Sequence, residues 1–252
     1  MEPTVLLAAL ILFAGSLTRS TFGFGEALIS MPLLSMVVGT QPAAAIVALT
    51  SVVNALVILL TTRWNDIEWD ATWRMLVGSL IGVPLGVYAL KELDDHIVKL
   101  FLAALIISFA AYNLRRPMRA TLKTNVLGFV FGFVAGVLGG AYNTLGPPLV
   151  IFGTLRQWDP TRFRTTLQTV FLPTSLFVVV SHQRAGFWKN HQEVWDYFLI
   201  SLPFIFLATF VGRMITNRLD TRRFSRAVFI LLLVIGGMLI VNIASDLLLA
   251  GS

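Results

Sequence analysis

The chain is 252 residues long, 56% hydrophobic and only 13% charged, with a net charge of +6 and a mean hydropathy of +0.81. Soluble domains carry about 25% charged residues, so this composition belongs in a bilayer. It holds no cysteine, which excludes disulfides and cysteine nucleophiles, and its basic residues read as cytoplasmic loop charge, not as a nucleic-acid-binding face.

The first apolar run, Val5 to Leu17, resembles a signal-peptide core in length. Only Glu2 precedes it among charged residues, and no small-residue cleavage site leads into polar sequence. It therefore reads as retained structure. The apolar region Thr4–Val38 is interrupted by Gly23-Phe24-Gly25 and then by Pro32. Next, Ala43–Thr62 runs without a charge, and about 20 such residues cross a hydrocarbon core of about 30 Å. Further spans are expected at Met75–Leu90 and Ile97–Leu114. A polar stretch follows and serves as a linker. The second interrupted segment, Asn125–Phe152, carries Gly136, Gly139-Gly140 and Pro147-Pro148. Spans at Thr165–His182, Tyr197–Asn217 and Ala227–Leu249 complete the chain. The expected organisation is an N-terminal repeat (1–114), a cytoplasmic linker (115–124) and a C-terminal repeat (125–252), together one transport domain.

The halves echo each other. Pro32-Leu33 matches Pro148-Leu149, and Pro42 matches Pro160. Trp69-Asp70 matches Trp195-Asp196. Gly86 with Leu93-Asp94 matches Gly212 with Leu219-Asp220. The order is kept, and the separation grows only as loop insertions require. Loop charge then sets the orientation. If each interrupted segment is a hairpin followed by three spans, the second half is upside down relative to the first. With the N-terminus outside, the basic loops Arg115–Lys123, Arg156–Arg164 and Arg213–Arg226 all fall inside. The near-neutral or acidic loops Lys91–His96 and Arg184–Asp196 fall outside, as the positive-inside rule requires. If each segment crossed once, Arg115–Lys123 and Arg213–Arg226 would lie on opposite faces, against that rule. The expected fold is thus an all-α polytopic membrane protein of two inverted repeats, each a Gly/Pro-broken helical hairpin followed by three transmembrane helices. Hairpin arms of about 14–16 residues favour half-depth entry. Arms that cross fully preserve the same parity.

Paired interruptions at matching positions mark a transporter's binding site. A helix broken at membrane depth leaves backbone polar groups that only protein or a wet cavity can satisfy. The freed N–H groups at a helix start attract anions. Gly23 and Gly25, and Gly139 and Gly140, would let such groups approach a ligand closely. The other reading of these glycines is tight helix crossing.

The motif Gly23-Phe24-Gly25 with Pro32-Leu33, echoed by Gly139-Gly140 with Pro148-Leu149, resembles the TauE/SafE family of sulfite exporters and sulfonate permeases. The resemblance extends over the whole chain. It implies a carrier of the bacterial inner membrane for small sulfur-containing organic anions, with export favoured. The lead expectation is alternating access, with an anion channel or an intramembrane enzyme as the competing classes. No cofactor, metal or nucleic acid is expected. The partners are the anionic substrate and the lipid bilayer, and a homodimer is compatible with the sequence. Both termini are expected in the periplasm. No ATP-binding motif occurs, so energy comes from a gradient or a partner subunit.

Candidate residues follow. Arg19 at the first break either pairs bidentately with a sulfonate, snorkels to the interface, or pairs with Glu26. Glu26 either carries a coupling proton or neutralises Arg19. Asn143 and Thr144 after the second break supply neutral hydrogen bonds. Asn54 and Gln168, inside apolar spans, either line the pathway or bond neighbouring helices. Arg164 either reaches inward or anchors a helix end. Asp70 and Asp196, and then Asp94 and Asp220, are expected to cap helix starts. His96, His182 and His191 are expected at membrane edges, without ligand-like spacing.

Overall fold

The computed structural model describes residues 3–60, 64–115, 121–188, 193–216 and 221–250. The first half comprises α1 (Pro3–Phe22), α2 (Glu26–Val38), α3 (Thr40–Leu60), α4 (Trp69–Glu92) and α5 (Asp95–Arg115). The second comprises α6 (Gly128–Tyr142), α7 (Gly146–Leu155), α8 (Pro160–Ala185), α9 (Glu193–Thr216) and α10 (Thr221–Ala250). No strand occurs among the described residues. Residues 116–120 of the expected linker lie outside them, as do Arg63, His191 and Asp220.

Seven helices are long and apolar enough to cross a membrane: α1, α3, α4, α5, α8, α9 and α10. The remaining three, α2, α6 and α7, have 13, 15 and 10 residues. The expected short arms therefore fail for α1, whose 20 residues suffice to cross. Helices α4, α5, α8 and α10 outrun their expected limits at both ends, and α3 and α9 at their starts, because interfacial residues such as Trp69–Arg74 and Pro160–Arg164 continue the helices beyond the apolar stretch.

Helix ends follow local chemistry. Asp159 accepts hydrogen bonds from the N–H groups of Thr161 and Arg162 at 3.1 and 3.0 Å, and Pro160 occupies the first helical position of α8. Asp94 caps α5 by accepting from the His96 N–H at 2.8 Å. Asp70 is not a cap. Helix α4 starts one residue before it, so its carboxylate meets Arg74 one turn on and accepts from Asn125 at 2.8 Å. Asp196 likewise lies inside the first turn of α9, which begins at Glu193.

The closest packing joins one half to the other. Gly78, Gly82 and Gly86 of α4 face the backbone of Phe129, Phe133 and Val137 on α6, while Gly132, Gly136 and Gly140 face Met75, Ser79 and Val83. A Cβ at any of these positions would fall inside van der Waals contact with a carbonyl oxygen. The residue order shows that α4 and α6 run parallel. Helix α1 meets α9 in the equivalent way. A Cβ at Gly212 would lie 2.7 Å from Ser20, whose hydroxyl donates to the Thr209 carbonyl at 2.8 Å. Gly86 and Gly212, paired by sequence, thus do the same job in the two halves. Helices α3 and α8 pack together, as do α5 and α10.

Candidate functional site

Each half opens on a broken helix pair, and the two breaks meet. The first break is Gly23-Phe24-Gly25, with φ of 85° at Gly23 and 102° at Gly25. Glycine is needed there because side chains strain a left-handed backbone. Helix α2 folds back along α1, bringing the Ser30 hydroxyl to the Ile11 carbonyl at 3.5 Å. The second break is Asn143-Thr144-Leu145. Asn143 takes the left-handed conformation (φ 54°), and its N–H bonds the Gly139 carbonyl at 2.8 Å. The second break therefore lies beyond Gly139 and Gly140, which sit inside α6. Gly140 belongs to the α4–α6 glycine seam, and a Cβ on Gly139 would strike Leu145. Counted from the breaks, the position equivalent to Glu26 is Gly146, the first residue of α7.

A small cavity lies between the breaks. Arg19, Gly25 and Glu26 line it from one side, Asn143, Thr144 and Gly146 from the other. Ser51, Phe171 and Ser175 complete its wall. Its volume is about 20 Å³, enough for a water but not for a sulfonate. The first N–H groups of a helix have no partners within it, and Ala27 and Leu28 in the first turn of α2 line this space. Helix α7 presents fewer donors, because Pro147 and Pro148 lack N–H groups.

Arg19 and Glu26 are both buried, at 4% and 2% exposure. Arg19 Nη1 donates to Glu26 Oε2 at 2.6 Å. Its Nε and Nη2 donate to Gln168 Oε1 at 3.3 and 3.0 Å, and its guanidinium lies over the Phe171 ring at 5.1 Å. Gln168 in turn donates to the Gly23 carbonyl at 2.6 Å, tying α8 to the first break. Glu26 also accepts from Ser51 at 3.2 Å and Asn54 at 2.9 Å. Asn54 donates to Ser16 at 2.9 Å and accepts from Thr209 at 3.2 Å. A satisfied network of this kind holds its members in one arrangement. Other ion pairs among the described residues, such as Lys99–Asp95 and Arg162–Glu68, sit at helix ends.

The structure thus gathers Arg19, Gly25, Glu26, Asn143 and Thr144 around one cavity. Asn54 and Gln168 stand behind it as hydrogen-bond partners of the ion pair, and Gly23 joins them through its carbonyl. Asn143 donates to the Ala44 carbonyl at 2.7 Å, and Thr144 donates to the Tyr142 carbonyl at 3.0 Å. The stem of Arg164 lies against Gly23. His182 lies in the last turn of α8 and is fully buried, with Nε2 2.8 Å from the Gly140 carbonyl. Sequence reasoning missed Ser16, Thr209, Phe171 and Ser175. Nothing local marks them, since each acquires its role from a helix distant in the chain.

Two apolar gaps flank the breaks unequally. The gap between α10 and the α1–α2 pair is about 60 Å³, lined by Phe22, Phe24, Leu28, Phe229 and Leu232. The gap between α5 and the α6–α7 pair is about 490 Å³, lined by Ser108, Phe109, Val134, Leu138 and Pro148.

The sequence model of the sulfite exporter TauE/SafE family matches residues 7–239. A probable sulfite/organosulfonate exporter TauE of Cupriavidus necator is 27% identical over 235 residues, covering 91% of each chain. A probable inner membrane transporter protein TsaS of Comamonas testosteroni is 22% identical over 176 residues, covering 69% of this chain and 73% of the relative. No solved structure matches.

Proposed function

The chain belongs to the sulfite exporter TauE/SafE family, and on that premise we propose that it carries small organic anions, sulfonates or related sulfur oxyanions, by alternating access. That it is a multi-pass membrane transporter and not an enzyme follows from the family and the seven apolar helices. The observation that carries the finer reading is the meeting of both broken helix pairs on one small cavity, lined by Arg19 and by Glu26, Ala27 and Leu28 of the first turn of α2. A sulfonate offers three acceptor oxygens and one charge, which suit a guanidinium beside a helix start.

The resting cavity is too small for such a guest, so the helices around it must move. The unequal gaps on the two sides support that reading, since one broken pair is closely covered and the other is not. The parallel run of α4 with α6, and the exchange of partners that pairs α1 with α9, support an inverted relation between the halves. We place the protein in the bacterial inner membrane with both termini periplasmic, the arrangement that puts the basic loops inside. Export rests on the names of the family and of the relative from Cupriavidus necator.

The test is counterflow in liposomes. Saturable exchange of a labelled sulfonate supports a carrier, while conductance far above carrier turnover replaces it with a channel. A panel of sulfonates, sulfite and carboxylates, read by thermal stabilisation of the detergent-solubilised protein, identifies the substrate, because a ligand that binds the folded state raises its apparent stability.

A further inference from the structure

The guanidinium that lines the cavity has a partner at each of its nitrogens, with three of its five N–H donors engaged. Arg19 directs Nη1 to Glu26 and both Nε and Nη2 to Gln168. Arg19 and Glu26 cancel to zero net charge. A monoanion entering beside an ionised Glu26 would leave this buried space net negative, with two anions sharing one cation. Like charges in one buried site resist joint ionisation, and an uncompensated buried charge is strongly disfavoured. Protonating Glu26 removes the conflict. It frees Nη1 for an anion oxygen, while Ser51 and Asn54 remain as partners of the carboxylic acid.

We propose that Glu26 and the transported anion compete for Arg19, so that each monoanion travels with one proton held on Glu26 and the cycle is electroneutral. The proposal rests on the carrier reading above. The chemistry is a proton taken from water onto a Glu26 carboxylate oxygen on one side and returned to water on the other. Arg19 exchanges one ion pair for another, and no other bond changes.

Among the described residues, no charged side chain other than Arg19 is paired with Glu26. From α1 only Arg19 faces Glu26, and from α3 the neutral Ser51 and Asn54. Helix α8 contributes Gln168 through Arg19, and its Arg164 lies against Gly23. Helix α9 contributes Thr209 through Asn54. Helix α10 brings Val228, Phe229 and Leu232 beside Gly25 and Leu28. The charged residues of α5 beside α2, Asp95 and Lys99, pair with each other next to Thr40, at the far end of α2.

Two consequences follow. An inward proton gradient drives the anion inward, so export runs only when the outward anion gradient exceeds the proton gradient. Dianions would leave one charge uncompensated, so monoanions are favoured.

The experiment uses proteoliposomes of the full chain with methanesulfonate, which stays ionised at every working pH. An internal pH dye reads protons, and a potassium diffusion potential sets the voltage. The expected result is one proton moved with each anion, at a rate indifferent to voltage. Anion affinity should rise as pH falls, by up to about tenfold per unit, the slope of one linked proton. Glu26→Gln should lose the proton movement and gain voltage sensitivity. Wild-type transport that is voltage-driven and moves no protons overturns the proposal and leaves the carrier standing. Folded protein that transports neither methanesulfonate nor any other anion of the panel overturns the carrier reading itself. The wild-type measurements decide the matter if the variant does not fold.

Discussion

Arg19 and Glu26 form an ion pair of 2.6 Å, sealed inside the protein at the tip of the first broken helix pair. They stand seven positions apart in the chain, yet the left-handed glycines between them turn it so that α1 ends where α2 begins. Such a pair adds little net stability, because desolvation offsets attraction, but losing one partner is costly.

Arg19→Ala should therefore destabilise the protein by about 3–5 kcal/mol by leaving Glu26 buried and unpaired. Adding Glu26→Gln should recover most of that loss. Thermal unfolding in detergent measures both, and sulfonate-induced stabilisation should vanish in either variant. A double variant no more stable than Arg19→Ala would show that the carboxylate was not the problem.

Gln168→Leu should loosen the first break, since one amide both accepts from Arg19 and donates to the Gly23 carbonyl. Unpaired buried polar groups cost about 1–3 kcal/mol. The expected signature is a lower unfolding midpoint together with weaker sulfonate binding. Intact binding would make Gln168 a purely structural partner.

The glycine seam gives a sharper contrast. Gly82→Ala or Gly136→Ala places a methyl group against backbone and should cost about 1–3 kcal/mol, or more where the helices cannot separate. Gly237→Ala, with nothing within 4 Å of the added carbon, should not lower the unfolding midpoint and should raise it slightly, since alanine suits a helix interior better than glycine. Equal effects at all three sites would contradict the packing.

That seam also shows what could and could not be read beforehand. Gly128, Gly132, Gly136 and Gly140 recur every four residues, as do Gly78, Gly82 and Gly86. The spacing signals close helix contact, but a dense glycine run also resembles a helix break. The actual break fell at Asn143, because asparagine tolerates the left-handed region better than most residues that carry a side chain. The spans and the first break were legible, since charge-free length and the closely spaced Gly23 and Gly25 have few other meanings. The partnership of Arg19 with Glu26 was one of three open readings; the 2.6 Å contact shows the pair and burial speaks against snorkelling, while pairing with a sulfonate belongs to the proposal above. The places of Gln168, Asn54 and Thr209 were not legible, because their partners come from helices far apart in the chain.

Asp159→Ala should lower stability by about 1 kcal/mol through loss of the α8 cap. Asp70→Ala should cost less than that, because its carboxylate holds the half-buried side chains of Arg74 and Asn125 and no helix N–H groups. Thermal unfolding of the two variants side by side tests which aspartate begins a helix.

Filling the larger apolar gap tests movement. Ser108→Phe, between α5 and the α6–α7 pair, should slow counterflow several-fold with little change in sulfonate affinity if that gap closes during each cycle. Unchanged turnover would show that the gap is a static feature.

The pairings α4 with α6, α1 with α9, α3 with α8 and α5 with α10 all join one half to the other. Neither half is a self-sufficient folding unit. During synthesis α4 leaves the ribosome well before α6, and its glycine face must wait in lipid with no backbone to rest against. Assembly is therefore completed late, when the last helices arrive, and a truncated chain should be a substrate for membrane proteolysis, not a working half-carrier.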